Sequence, residues 1–382
     1  MALTFPRANT RARRRSRYGC RNCKLRKLKC DGQKPQCKRC ISLGVICNLV
    51  SSAADLEPIG AVTLVVHPPV SSAVWTADES ISYHYQLNAK CQDFITRYLG
   101  QSLLNAVPDE FNNMKCVNRK LLDLAFTYPF LMHASLAVAF TYDRYLNGSF
   151  GCRRSLDECY HWSRATTLLN RRLAQPISAT SRDKDAIWGT AAALAILSFA
   201  SPDARAPEES WPLRRSADRS DLDWLCMSSG KMALWDSVNP LRPDSLFHVM
   251  AATFAQINAP LPERGIDGIP DPLAGVCRLN SATTAQDNPY FEAAHAVSAI
   301  LDIPDSKVTT GKTQLFTRCI HGPFEDSLRY CNPVALLLLY LWYGKASCIW
   351  WIELRARVER PAICEYLRRF HRDDAAVQTF LP

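Results

Sequence analysis

Glycine is scarce in this chain, 15 in 382 residues. That argues against a doubly wound nucleotide-binding sheet, which uses glycine for tight turns and for close approach to phosphate. Thr310-Gly311-Lys312-Thr313 has the ending of a phosphate-binding loop, but Ser306 stands where the first glycine is required. Neither G-x-S-x-G nor H-E-x-x-H occurs, and the glycines in the segment 147–151 are wrongly spaced for a nucleophile elbow. The eight histidines never fall at i, i+4, so no histidine-based metal site is expected. No catalytic residue can be named, and the chain is not expected to be an enzyme. Alternating strand patterns are also rare, with Val62 to Val66 the one modest candidate. The longest apolar stretch, Val334 to Ile352, carries Lys345 near its middle. A central lysine opposes insertion by about 3 kcal/mol, and the run before it is about ten residues, so a core helix is expected and no membrane span.

Six of the 16 cysteines crowd into residues 20–47. Cys20, Cys23 and Cys30 read C-x2-C-x6-C, and Cys37, Cys40 and Cys47 repeat the spacing. Disulfides need an oxidising compartment, and Phe5 and Pro6 lead into arginines without the apolar segment of a secretory signal. A pair of single-zinc knuckles leaves Cys30 and Cys47 unexplained. One tetrahedral zinc takes four thiolates, whereas two Zn2+ ions need eight ligand places, which six thiolates supply if two of them bridge. The repeat nominates equivalent positions as bridges, most simply Cys20 and Cys37. The other ten cysteines are scattered singly, as buried free thiols in a reducing compartment would be.

The run from Gly19 to Asp31 (GCRNCKLRKLKCD), with Lys34, Pro35 and the spacing of Cys37, Cys40 and Cys47, resembles the fungal binuclear zinc-cluster (Zn2Cys6) DNA-binding domain. Charge agrees with that resemblance. Residues 1–49 hold fourteen Lys/Arg and one Asp, a net +13, while the remaining 333 residues hold 32 basic and 35 acidic side chains, a net −3. A polyanion partner is therefore implied for one end alone, and double-stranded DNA is the partner the resemblance implies. The arginine run 7–17, including Arg14, Arg15 and Arg17, suits both nuclear import and an arm on DNA phosphates or in the minor groove. Lys24 to Lys29 is good helix-forming sequence pinned at both ends by cysteines, and a short helix here is expected to enter the major groove. The resemblance implies that Arg26 and Lys27 read a CGG-like triplet. Lys29, Arg21 and Lys38 are expected on phosphates, with Asp31 as a capping carboxylate and Pro35 as a rigid turn.

The proposed organisation is a small binuclear zinc-cluster module followed by an all-α regulatory domain. It comprises a basic arm at 1–19, the Zn2Cys6 domain at 20–47, a linker at 48–78 and a helical domain at 79–382. Pro58, Pro68 and Pro69 and the lack of a/d spacing exclude a coiled coil in the linker. A single DNA half-site, or a dimer formed through the helical domain, is expected instead. Helical periodicity is predicted through Leu87, Cys91, Phe94, Ile95, Tyr98 and Leu99, from Pro129 to near Gly148, and from a Ser155 cap to Pro176. A fourth helix from Asp183 to Phe199 is apolar nearly all round and should be the buried centre. Residues 201–219 read as a loop. Further helices are predicted at 221–238, 244–257, 289–301, 332–353 and 361–372.

The segments around Tyr128 to Ala139, Tyr160 to Ile177, Leu197 to Ala200, Asn332 to Tyr343, Trp350-Trp351 and Glu359 to Leu367 together resemble the regulatory domain of fungal zinc-cluster factors of the sterol-uptake-control type. That resemblance implies a hydrophobic small-molecule ligand, a sterol or another lipophile. Tyr340, Trp342, Tyr343, Trp350 and Trp351 could wall such a pocket or simply form core. No ligand-binding residue can be singled out. The tail from Asp373 to Leu381 mixes acids with apolar residues, as coactivator-contacting segments do. The whole reads as a nuclear, zinc-dependent regulator of RNA polymerase II genes, governing a secondary-metabolite cluster or sterol-related genes. The alternatives are a zinc module acting through protein contacts, or a lipophile sensor with weak direct DNA readout.

Overall fold

The computed structural model describes residues 18–42, 45–49, 55–56, 74–75, 83–84, 108–147, 153–177, 180–200, 202, 204–214 and 219–382. The helix expected through Leu87 to Leu99, the strand candidate at 62–66, and Arg14, Arg15 and Arg17 lie outside them. The chain divides into two compact units, Met1–Ala73 and Val74–Pro382.

Among its described residues the first unit has two short helices, α1 (Arg21–Leu25) and α2 (Lys38–Ile41). Its buried hydrophobic residues are the six cysteines and Val45, with Leu49 packed against them, among the described residues.

The second unit is mostly helical. A two-residue antiparallel ladder pairs β1 (Val74–Trp75) with β2 (Tyr83–His84). Around one apolar core lie α3 (Pro108–Ala125), α4 (Pro129–Asn147), α5 (Leu156–Leu173) and α6 (Ser181–Ala200). The expected Ser155 cap is present: its hydroxyl accepts the Glu158 N–H at 3.1 Å. Twelve of the twenty residues of α6 are buried, as its all-round apolar sequence required. Ile187, Trp188, Leu194 and Leu197 fill the first core, whereas Phe199 at the end of α6 belongs to a second.

Two short helices, α7 (Asp223–Met232) and α8 (Trp235–Val238), replace the single one expected at 221–238. A 3-10 turn at Leu246–Met250 and α9 (Ala251–Ile257) occupy the 244–257 prediction. Among its described residues, the loop predicted at 201–219 holds a 3-10 turn at Pro207–Glu209, and another, Arg219–Leu222, begins at its end. Next come α10 (Asp271–Val276), α11 (Phe291–Leu301), α12 (Thr310–Cys319) and α13 (Pro323–Arg329). The chain ends in α14 (Pro333–Ala346), α15 (Trp350–Phe370) and α16 (Ala375–Gln378). The prediction of one helix over 332–353 and another over 361–372 is corrected here. The break falls at Ser347 to Ile349, and α15 runs straight through Pro361. Pro361 sits on the exposed face, while Ile352, Ala356, Ile363 and Leu367 bury the other, so packing overrides the proline's local preference.

Leu336 to Leu339 in α14 are fully buried, and the Lys345 ammonium leaves the helix to donate to the Ile303 carbonyl at 3.0 Å and Asp305 Oδ1 at 3.1 Å. Among the described residues no helix is long and apolar enough to cross a membrane. The aromatic group at 340–351 is packing material. Trp342 stacks on Phe316 with centroids 5.2 Å apart and its indole N–H donates to the Thr313 carbonyl at 2.9 Å. Tyr343 donates to Glu359 Oε2 at 2.6 Å, and Trp351 stands edge-on to Phe199 at 5.2 Å.

Arg355 ties α15 to the end of α6. Its Nε donates to the Phe199 carbonyl at 2.6 Å, closing the end of α6, and its Nη1 pairs with Glu359 one turn along α15. Thr310-Gly311-Lys312-Thr313 begins α12 instead of forming a phosphate loop. A Cβ on Gly311 would lie 2.6 Å from Gln256 Oε1 and 2.8 Å from the Thr253 carbonyl, so the glycine serves the close approach of α9 and α12.

Across the α4–α5 interface, His133 Nδ1 and His161 Nδ1 lie 2.9 Å apart with both rings buried, so one nitrogen donates and the other accepts. Burial pushes His133 down to about 3, with His161 and Arg164 adding to the shift, and burial pushes His161 down to about 4 against the opposing field of Asp157. The unfolded imidazoles take up protons near pH 6.5, before the folded pair does. Stability is therefore intact above about pH 6.5 and falls by about 1.4 kcal/mol per pH unit for each histidine as the pH drops towards 4. Urea unfolding between pH 7.5 and 5 should show this loss, and the double variant His133→Leu/His161→Phe should have a flatter profile than the parent.

Candidate metal centre and nucleic-acid interface

Each cysteine triplet folds the same way because each opens with a sulfur cap. Cys20 Sγ accepts the Cys23 N–H at 3.3 Å, and Cys37 Sγ accepts the Cys40 N–H at 3.4 Å, so α1 and α2 start where the repeat starts. Each helix stops after about one turn. Leu28 N–H donates to the Cys23 carbonyl at 2.9 Å and Val45 N–H to the Cys40 carbonyl at 3.1 Å, five residues on from the second cysteine in both copies.

The copies also cap one another. One residue past the third cysteine of each triplet stands Asp31 or Asn48. Asp31 Oδ2 accepts the Lys38 N–H at the head of α2 at 3.3 Å, and Asn48 Oδ1 accepts the Asn22 N–H in the first turn of α1 at 3.0 Å. The capping role expected of Asp31 is thus present. The loop proline follows a cis Lys34–Pro35 bond.

This arrangement turns all six sulfurs inward; none of the six cysteines is more than 6 % exposed. Cys20, Cys23, Cys30 and Cys37 form one group of four sulfurs, and Cys20, Cys37, Cys40 and Cys47 form another, each within 4.8 Å. Cys20 and Cys37 belong to both. The separations Cys20–Cys37, Cys20–Cys40 and Cys23–Cys37 are 3.8, 3.6 and 3.7 Å, and all six cysteines are free. A tetrahedron with Zn–S bonds of about 2.3 Å has edges of about 3.8 Å, so the spacing fits thiolates around a zinc-sized cation and is far too long for disulfides. Burial, reinforced by neighbouring sulfurs, pushes the Cys23 and Cys40 thiols up, and burial does the same to Cys37. A divalent cation among them supplies the positive charge that deprotonation needs.

The basic segment differs from the expected helix over Lys24 to Lys29. The helix ends at Leu25, Arg26 caps it, and Lys27 takes the left-handed conformation with φ 55°. Lys27 N–H donates to the Lys24 carbonyl at 3.0 Å, and with the Leu28 bond this makes a Schellman turn. The equivalent place in the second copy is Gly44 in sequence, the residue that such a turn prefers. Lys24 to Lys29 are all exposed, as are Arg21 and Lys38. The structure therefore gathers Arg21, Arg26, Lys27, Lys29 and Lys38 on the surface of one small unit, with Arg21 paired to Asp55.

Residues 18–55 match the fungal Zn(2)-Cys(6) binuclear cluster domain. Over 52 residues, 14% of this chain, the sequence is 47% identical to the citrinin biosynthesis transcriptional activators mrl3 of Monascus ruber and ctnR of Monascus purpureus. Over 38 residues, 10% of this chain, it is 50% identical to the transcription factor FBD3 of Fusarium pseudograminearum. The chain spans 10%, 9% and 5% of the lengths of these relatives. No solved structure matches.

Sequence reasoning missed Asn22, which is buried at 1 % exposure within the zinc-cluster domain. Its Nδ2 donates to the Ile46 carbonyl at 2.9 Å, and its Oδ1 accepts from Asn48 Nδ2 at 3.0 Å and from Leu56 N–H at 2.8 Å. The hint was compositional: a short amide stands between two cysteines where the second copy has the long cation Arg39. Asn22→Ala leaves three polar groups without this partner and should cost the cluster domain about 2–3 kcal/mol, read as a lower thermal midpoint of the zinc-loaded protein.

Proposed function

We propose that this chain is a nuclear, zinc-dependent, sequence-specific DNA-binding regulator of RNA polymerase II genes, with two Zn2+ ions held by six thiolates. The observation that carries this reading is the pair of four-sulfur groups with Cys20 and Cys37 in common, set directly behind an exposed basic turn. Cys20 and Cys37 are the bridges, and Cys23, Cys30, Cys40 and Cys47 complete the two tetrahedra. Bound zinc supplies structural charge and no reaction step. In a domain whose apolar core is otherwise Val45 with Leu49 against it, it fixes the pose of the basic turn.

Arg26 and Lys27 reach O6 and N7 of guanine in a CGG-like half-site. Lys29, Lys38 and Arg21 rest on phosphates, and Arg14, Arg15 and Arg17 add salt-dependent affinity. The left-handed turn supports the role of Lys27. It lifts this side chain off the end of the helix, in a conformation disfavoured for a lysine by about 1–2 kcal/mol. The domain organisation is the arm, cluster, linker and helical regulatory domain set out above, acting on a single half-site or pairing through the helical domain. The target is a metabolic gene set, and the likeness to two citrinin biosynthesis activators favours a secondary-metabolite cluster over sterol-related genes. A lipophilic ligand for the helical domain rests on the sequence resemblance to sterol-uptake-control factors.

Native mass spectrometry of the protein should count two zinc ions, and Cys30→Ala should abolish DNA binding; any other metal count, or normal binding by Cys30→Ala, overturns the shared-ligand cluster. Lys27→Gly removes the reading side chain and relaxes the turn. It should keep both metals yet lose about 1–3 kcal/mol of discrimination between a CGG duplex and a scrambled one. A Lys27→Gly protein with unchanged discrimination would put base reading elsewhere.

A further inference from the structure

The cluster domain does not end at its last cysteine. Asp55 and Leu56 dock against α1, with Leu56 in the left-handed region at φ 60°. Two bonds place this turn without help from Arg21: Leu56 N–H donates to Asn22 Oδ1 at 2.8 Å, and Asn48 Nδ2 donates to Asp55 Oδ1 at 2.9 Å. The same Asp55 oxygen accepts from Arg21 Nε. Asp31 and Asp55 are the acidic residues among the described residues of this unit. Asp31 spends its carboxylate on the Lys38 backbone N–H. Asp55 faces the guanidinium of a cation assigned to DNA phosphate.

We propose that Asp55 is an intramolecular stand-in for a DNA phosphate, occupying Arg21 in the free protein and yielding it when DNA binds, so that this carboxylate sets the affinity of the domain. The inference rests on the DNA-binding reading above. Exchange is feasible because both partners are open to water, with side chains 63% and 40% exposed, and such exposed pairs are weak. A duplex presents many phosphates and releases counterions when one is neutralised, so it wins the guanidinium at low salt and loses the advantage as salt rises. Because Asn48 and Asn22 hold the turn in place, the carboxylate stays beside Arg21 ready to recapture it. The competition is built in, not a chance collision of surface charges.

The test is a double-mutant cycle on the full-length zinc-loaded protein, with Kd measured against salt on CGG and scrambled duplexes. Asp55→Asn keeps an oxygen for Asn48 but removes the charge. It should tighten binding roughly twofold to fivefold at low salt and steepen the salt slope by up to about 0.9. In an Arg21→Gln background the same change should have no effect. A gain of equal size in that background means a general charge effect and overturns the proposal, as does weaker binding by Asp55→Asn. Equal binding of the two duplexes by the parent protein sinks base reading while leaving the cycle interpretable on either duplex. The Arg21 Nε–H resonance of the free protein reports the contact without DNA, and a signal that Asp55→Asn leaves in place overturns the contact itself.

Discussion

The first unit of this protein depends on sulfur gathered at one point. A domain of this length cannot bury enough apolar surface to offset its conformational entropy, and here the apolar core of the described residues, beyond the six cysteines, is one valine with a leucine against it. Thiols at 3.6–3.8 Å give weak hydrogen bonds at best. Burial disfavours the charged form of Cys23, Cys37 and Cys40, and a cation in their midst supplies the charge that reverses that balance. Metal affinity and folding free energy are then one quantity.

The duplication does more than supply ligands. Asp31 and Asn48 each sit just past a triplet and each satisfies the first turn of the other copy's helix, so neither half is complete alone. On that near-symmetric frame the two halves diverge where they meet other things. The first copy carries Lys24 to Lys29, with a lysine in the left-handed position; the second carries Ile41 to Ile46, with Gly44 at the matching place. In sequence the second copy offers the residue that a left-handed turn prefers, whereas the first holds a lysine in that conformation.

How much was legible follows from the same physics. Ligand spacing is a local property, so the six cysteines and the Cys20/Cys37 equivalence could be read directly from the repeat. Helix length inside the cluster could not, because Lys24 to Lys29 has good helix propensity and the stop comes from a backbone turn closed onto Cys23. Asn22 was invisible because its partners, Ile46, Asn48 and Leu56, are 24 to 34 residues away. In the helical unit, starts marked by Pro129, Ser155 and Pro333 were legible because capping is local too. The helix Pro108–Ala125 carried a readable signal in Pro108, Asp109 and the Val117, Leu121, Leu124 spacing that went unused.

The helix through Pro361 is the opposite case, in which a strong local stop signal loses. Removing one backbone bond and crowding one carbonyl disfavours a helix interior by about 3 kcal/mol. On the other side are Ile352, Ala356, Ile363 and Leu367, buried along one face that spans the proline, and fully burying one such large aliphatic side chain gains about 1.5–3 kcal/mol. Arg355 adds a further constraint, since its bonds to the Phe199 carbonyl and Glu359 fix the first half of this helix against the end of α6, where the two cores meet. Releasing the second half at residue 361 would strip Ile363 and Leu367 from a core already anchored one turn earlier. The proline is therefore carried on the exposed face, where its ring meets water.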